Sequence, residues 1–176
     1  MAPSIQELSA LAVSPPPPEI YTQSPSTAPY TVVPIPQKGL SVLSTRSLPS
    51  ATHLVTASPL LLLHTKAGCT PELILGTFAG LSAETKATYL QLCHGLPERP
   101  RPTKDEIVLG VWKCNNFCLD DEGTVNAVFD LPSRLNHACV GGENCVWRWD
   151  AEEEVVTFET DREVEVCATL VREEWC

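Results

Sequence analysis

Helical periodicity in this chain is confined to one central block, with short strand-like runs on both sides of it. The block opens on Thr70-Pro71-Glu72, which offers an N-cap, a proline at the first helical position and an acidic residue near the positive helix end. Thr103 and Glu106 then have the spacing of a capping box. We therefore predict a mostly β, α+β fold with a helical insertion at about residues 70–113.

The flanking runs have the composition of short strands. The β-branched run Thr31–Val33 and the alternating runs Leu40–Thr45 and Thr52–Thr56 predict a β-meander before the insertion. After the insertion, Val146–Trp149 and Val155–Phe158 are expected to pair across the turn between them. We predict one folded domain at residues 29–170, preceded by a disordered Pro- and Ser-rich tail (1–28) and followed by an atypical end (171–176).

The charge of the chain limits its partners. The net charge is −10 and the pI about 4.8, which argues against direct nucleic-acid binding and favours either a basic partner or simply a soluble surface. Residues 150–176 contain ten Asp or Glu against two Arg. The longest apolar run, Leu60–Leu63, is too short to cross a membrane, and no secretory signal is visible at the start. We expect an intracellular protein, nuclear or cytoplasmic.

Eight cysteines allow three interpretations. The even number is compatible with disulfides, but the expected intracellular setting favours reduced thiols. Cys114 and Cys118, like Cys139 and Cys145, are not spaced as the C-x2-C pairs of common zinc sites. Buried free thiols explain most of them, so we predict no metal site. A zinc-binding interaction module is the alternative.

The segment Leu131–Cys145 concentrates polar groups between two apolar strand-like runs. Asn136 and His137 stand at its centre, and such side chains beside apolar strands need hydrogen-bond partners. Two explanations are open from the residues alone. The pair either holds a ligand or is a buried turn whose polar groups the backbone satisfies.

Four segments, in order, resemble the SET domains, which are S-adenosylmethionine-dependent protein-lysine methyltransferases. Lys38–Arg46 resembles the opening "KGLG" strand of that family, and Thr52–Leu60 the strand "G-T-x-I-x-x-E-x-P-L". Cys114–Phe117 resembles the "N-x-F" element, and Ser133–Cys139 the "S-R/L-x-N-H-S-C" signature. The resemblance is strongest to the branch in which a helical insert splits the SET strands, here without a MYND finger, and it implies the SET β-clip fold.

The resemblance also implies a cofactor, a substrate class and a set of binding residues. The cofactor is S-adenosyl-L-methionine, and the substrate is a lysine of a protein or peptide, possibly a basic one. Asn115 matches the asparagine that helps to hold the methionine part, with Asn116 as its one-residue alternative. The implied cofactor-binding residues are Lys38, Gly39, Leu40, Asn115, Asn136 and His137.

Several positions depart from the family pattern. Ser41 replaces the second glycine of the opening motif, and Ala51 and Ala57 replace a glycine and a glutamate. The family's closing motif "G-E-E-I/L-x-x-x-Y" is not recognisable, and no tyrosine follows Tyr89. The catalytic residue is therefore unassigned. The alternative function is a catalytically impaired SET-like binding module, or a chain that lacks its terminal segment.

Overall fold

The computed structural model describes residues 27–35, 39–97, 100–138 and 142–173. Most of the predicted tail (1–26), the site residue Lys38, the signature residue Cys139 and the last three residues of the predicted atypical end lie outside these ranges. In the described residues, no helix is both long and apolar enough to cross a membrane.

The fold is mostly β with a short helical block, as the sequence predicts. The helices are α1 (Pro71–Gly80), α2 (Ala83–Tyr89) and α3 (Lys104–Asn115). The strands are β1 (Tyr30–Ile35), β2 (Gly39–Ser44), β3 (His53–Ala57), β4 (Leu61–His64), β5 (Phe117–Cys118), β6 (Val125–Val128), β7 (Asn136–Ala138), β8 (Cys145–Asp150), β9 (Val155–Thr160) and β10 (Val171–Glu173). A single 3₁₀ turn (Pro132–Arg134) leads directly into β7.

Local capping chemistry determines where the helices begin. The side chain of Thr70 accepts a hydrogen bond from the Leu73 amide, and Ser82 accepts one from Thr85. Thr103 and Glu106 form the reciprocal bonds of the predicted capping box. These bonds satisfy amide groups that have no partner inside a helix, so short polar residues fix the start of all three helices.

The strands form three sheets with the orders β1-β2, β3-β9-β8-β10-β7 and β4-β6-β5. The predicted pairing of β8 with β9 is confirmed, with Trp147 opposite Phe158. The predicted N-terminal meander is wrong, because β3 leaves β2 and pairs with β9 instead. Pro34 lies within β1, whose one neighbour among the described strands is β2, and such an edge strand tolerates a residue without an amide proton.

Strand β10 enters the five-stranded sheet between two strands that follow one another in sequence. It runs parallel to β7, with Val171 opposite Asn136, and parallel to β8, with Arg172 opposite Cys145. The preceding segment runs along β2, where the Leu170 amide donates to the Val42 carbonyl. The sheet therefore continues past residue 170, the boundary that the sequence suggests.

Asn144 fastens β10 in this position. Its Oδ1 accepts from the Val171 amide at 2.8 Å, and its Nδ2 donates to the Thr169 carbonyl at 2.9 Å. The backbone amide of Asn144 also donates to the Val171 carbonyl at 3.1 Å. The Asn144 side chain thus supplies hydrogen bonds that a neighbouring strand would otherwise give to β10 and to the residue Thr169 before it.

The helical block packs tightly through glycine. A methyl group at Gly110 of α3 would lie 2.5 Å from the His94 carbonyl oxygen, and one at Gly95 would lie 2.8 Å from the Cys114 sulfur. Gly95 also has a φ of +64°, in the left-handed region that favours glycine. The segment 91–96 can therefore lie directly on α3, where larger residues would hold it away.

Asn144→Ala should lower the free energy of unfolding by about 1–3 kcal/mol, because the hydrogen bonds of its side chain to Val171 and Thr169 are lost. Asn144→Asp keeps the acceptor for Val171 and loses the donor for Thr169, so it should fall between wild type and Asn144→Ala. Urea unfolding of the three proteins measures the series. Equal stability of Asn144→Ala and wild type would contradict the role assigned to this side chain.

Gly110→Ala should lower the free energy of unfolding by about 1–3 kcal/mol, because a methyl group overlaps the His94 backbone. Gly76→Ala is the matched control. Gly76 lies inside α1 with nothing within 4 Å of a new methyl group. This change should raise the stability by about 0.5–1 kcal/mol through helix propensity alone. The same sign for both variants in urea unfolding would refute the packing argument.

Candidate functional site

Four of the six residues predicted to bind the cofactor line one open cavity of about 620 Å³: Leu40, Asn115, Asn136 and His137. They come from β2, the end of α3 and β7, so the fold brings together segments almost a hundred residues apart. Gly39 opens β2 next to Leu40 but is not among the lining residues, and Lys38 lies outside the described residues.

The remaining wall of the cavity comes from residues that the sequence analysis did not single out as site residues. The segment between α2 and α3 provides one side, and the turn before β7 provides another. The additional lining residues are Gln91, Leu92, Cys93, His94, Gly95, Leu96, Cys114, Ser133, Arg134 and Leu135. The sequence did not indicate that segment 91–96 belongs to the site, because the packing of this segment against α3 is a long-range contact. The two glycines, Gly95 and Gly110, were the available local signal.

Asn115 is buried and already donates both of its amide hydrogens. Its Nδ2 donates to the Cys93 carbonyl at 2.7 Å and to the Val111 carbonyl at 2.8 Å. The group that Asn115 can offer to a ligand is therefore its Oδ1 acceptor. Asn116, the one-residue alternative, does not line the cavity and instead donates weakly to Asn126 Oδ1 at 3.4 Å.

Asn136 joins the signature strand to the opening strand. Its Nδ2 donates to the Ser41 Oγ at 2.8 Å, and Ser41 is fully buried. Ser41 stands where the SET pattern has a glycine, and here its hydroxyl gives the Asn136 amide a partner. This departure from the pattern therefore fixes one of the predicted cofactor residues in place.

His137 lies on the exposed side of β7, in contact with a cation from β10. The guanidinium of Arg172 is 3.0 Å from the His137 Nε2 and lies over the ring of Phe117, 4.0 Å from its centroid. Arg172 is only 3% exposed. The Asn136–His137 pair is therefore held by side chains from β2 and β10, which excludes the simple turn whose polar groups only the backbone satisfies.

The 3₁₀ turn before β7 contributes two polar side chains to the cavity wall: an arginine whose charge is neutralised and a serine whose hydroxyl is unsatisfied. Arg134 forms an ion pair with Asp130 Oδ1 at 2.8 Å and lines the cavity. Ser133 also lines it, and its buried Oγ has no hydrogen-bond partner among the described residues. An unsatisfied buried hydroxyl costs about 1–3 kcal/mol, so a polar ligand that engages it would be stabilised.

Two thiols lie in the cavity wall. Burial raises the pKa of the Cys114 thiol, and the neighbouring Cys93 raises it further, whereas Lys113 opposes the shift. The Cys114 thiol is therefore mainly protonated at neutral pH. Among the described residues, no group of three or more His, Cys, Asp or Glu side chains is placed to hold a metal ion.

Ala51 and Cys167 both have a backbone in the left-handed region that favours glycine. Ala51, which replaces a glycine in the second matched strand, has a φ of +59°. Cys167 has a φ of +62° and precedes the fully buried Leu170 by three residues. Side chains other than glycine adopt this conformation at a cost of about 1–2 kcal/mol.

The closing motif of the SET pattern ends in a tyrosine, and residues 174–176, which contain none, lie outside the described residues. The two described tyrosines do not replace it. Tyr30 belongs to β1, and the Tyr89 hydroxyl donates to the Val108 carbonyl inside the helical block, where burial raises its pKa. Neither lines the cavity.

No protein-family model matches the chain. Over 136 residues it is 27% identical to the histone-lysine N-methyltransferase set5 of Schizosaccharomyces pombe (strain 972 / ATCC 24843). The alignment covers 77% of this chain and 39% of that protein, so the chain spans about two fifths of the relative's length. The similarity supports the resemblance to SET-type methyltransferases, at the level of the family only.

Proposed function

We propose that the chain is a SET-type domain of the split-SET branch, with the β-clip fold, and that it binds S-adenosyl-L-methionine in the cavity described above. The observation that carries the proposal is the convergence of Leu40, Asn115, Asn136 and His137 on one cavity. These residues come from three separate sequence motifs. The local sequence around each motif does not require the three motifs to lie side by side in the fold. The cavity volume lies within the range of small-molecule sites.

The lining residues suit the parts of this cofactor. The Oδ1 of Asn115 is an acceptor for an α-ammonium group, and Leu40, Leu96 and Leu135 provide apolar surface for an adenine ring. The unsatisfied Ser133 hydroxyl adds a further polar contact. When bound, the cofactor supplies a methyl group on a sulfonium, and the protein's own task is to orient it and to exclude water.

We further propose a lysine side chain of a protein as the methyl acceptor. An amine attacks only in its neutral form, so a lysine with a pKa near 10.4 has to lose its proton in a dry environment. The half-buried Trp147 and Trp149 pack beside the buried Phe117 and Phe129 and provide apolar surface near β10. The net charge of −10 suits a basic substrate, and the name of the relative makes a histone one candidate in a nuclear or cytoplasmic setting.

A second candidate function is cofactor binding without methyl transfer. It is favoured by one observation: among the described residues, no tyrosine hydroxyl lines the cavity. Incubation of the protein with labelled cofactor and lysine-rich peptides distinguishes the two. Labelled peptide supports the enzyme, and cofactor binding without any labelled peptide supports the binding module.

Asn136→Ala should weaken binding of S-adenosylmethionine by about ten-fold or more, because a hydrogen bond to a charged ligand contributes about 1.5–3 kcal/mol. Ser41→Ala is the matched control. Both variants remove the same Asn136–Ser41 hydrogen bond, but only Asn136 lines the cavity. Ser41→Ala should therefore lose similar stability but clearly less affinity than Asn136→Ala.

Isothermal titration calorimetry measures the affinities, and urea unfolding measures the stabilities. Absence of measurable binding by the wild-type protein would refute the proposed cofactor. Equal losses of affinity in both variants would show that the effect of Asn136 is indirect.

A further inference from the structure

Arg172 is a buried cation immediately behind the candidate cavity. It is 3% exposed and lies on β10, opposite His137 on one side and Cys145 on the other. A guanidinium is costly to bury unless it is well coordinated, so its surroundings define its role.

The guanidinium of Arg172 contacts both an aromatic ring and the His137 imidazole. The ring of Phe117 lies 4.0 Å away, a cation–π distance, and His137 Nε2 lies 3.0 Å from one terminal nitrogen. Phe117 itself is fixed by edge contacts with three aromatic rings, those of Phe129, Trp147 and Phe158. The guanidinium therefore lies between a rigid aromatic cluster and the imidazole.

The chemistry of this contact determines the protonation of His137. All the nitrogens of a guanidinium are donors, and arginine stays charged in proteins. The His137 Nε2 must therefore be the acceptor, so the imidazole is neutral and its proton is on Nδ1.

We propose that Arg172 is a positioning residue that holds His137 as the neutral Nδ1–H tautomer in the wall of the cavity. The neutral ring then carries one hydrogen-bond donor, on Nδ1, and its orientation in the cavity wall is fixed by Arg172. The consequence for ligand binding depends on the proposed function, whereas the tautomer itself does not.

The tautomer is read directly by long-range ¹H–¹⁵N correlation spectra of the full chain labelled with ¹⁵N-histidine. His137→Gln identifies the signal of His137, and the other three histidines, 53, 64 and 94, are internal references. We expect His137 to show a protonated Nδ1 and an unprotonated Nε2 at neutral pH. A protonated Nε2 in the wild-type protein, in either the neutral or the charged ring, would overturn the proposal.

Two substitutions separate positioning from packing. Arg172→Met keeps a long apolar stem beside Phe117 and removes the donor, so His137 should lose its fixed tautomer and the affinity for S-adenosylmethionine should fall about ten-fold. Arg172→Lys retains a charged donor and should restore the Nδ1–H tautomer at least in part. An unchanged tautomer in Arg172→Met would refute the role.

The outcomes also distinguish this proposal from the proposed function. A wild-type protein with the expected tautomer and no affinity for the cofactor supports the positioning role and refutes the cofactor. A wild-type protein that binds the cofactor and has His137 protonated on Nε2 supports the cofactor and refutes the positioning role. If Arg172→Met does not fold, the wild-type spectrum and Arg172→Lys still decide the question.

Discussion

The insertion of β10 between β7 and β8 is the constraint on which the rest of this structure depends. Parallel neighbours on both sides give a strand of three residues, Val171–Glu173, its place in the sheet, and Asn144 supplies the hydrogen bonds that so short a ladder lacks. The same strand brings Arg172 against His137. A segment near the end of the chain thereby organises the signature strand that the sequence marks as functional.

The second organising contact is the close approach of segment 91–96 to α3. It depends on glycine at residues 95 and 110, and it carries Cys93 and Asn115 into the same wall. The helical insertion is therefore part of the candidate site and not only a separate core. Its own apolar cluster, centred on Tyr89 and Val111, gives the wall a rigid base.

Features that depend on a few neighbouring residues could be predicted from the sequence. The caps at Thr70, Ser82 and Thr103 and the β8–β9 hairpin are of this kind. Features that depend on distant partners could not. The separation of β3 from β2, the placement of β10 and the approach of segment 91–96 are decided by contacts between residues far apart in the sequence.

The candidate site also divides into features that could be predicted from the sequence and features that could not. Family motifs selected Leu40, Asn115, Asn136 and His137, and the fold brings these four to one cavity. The same motifs made Ser41 and Ala51 look like departures, because a motif lists residue types and not the backbone conformation behind them. The hydrogen bond that Ser41 accepts and the left-handed φ of Ala51 became apparent only in three dimensions.

The proposed cofactor cavity is tested most directly by measuring whether S-adenosylmethionine protects the thiols of the cavity from alkylation. Cys93, Cys114, Cys118 and Cys167 are all exposed, but only Cys93 and Cys114 line the cavity. Alkylation rates at each cysteine, measured by mass spectrometry at mildly alkaline pH with and without S-adenosylmethionine, compare all four in one protein. We predict slower alkylation of Cys93 and Cys114 only. Unchanged rates at both, under saturating cofactor, would contradict the assignment of this cavity.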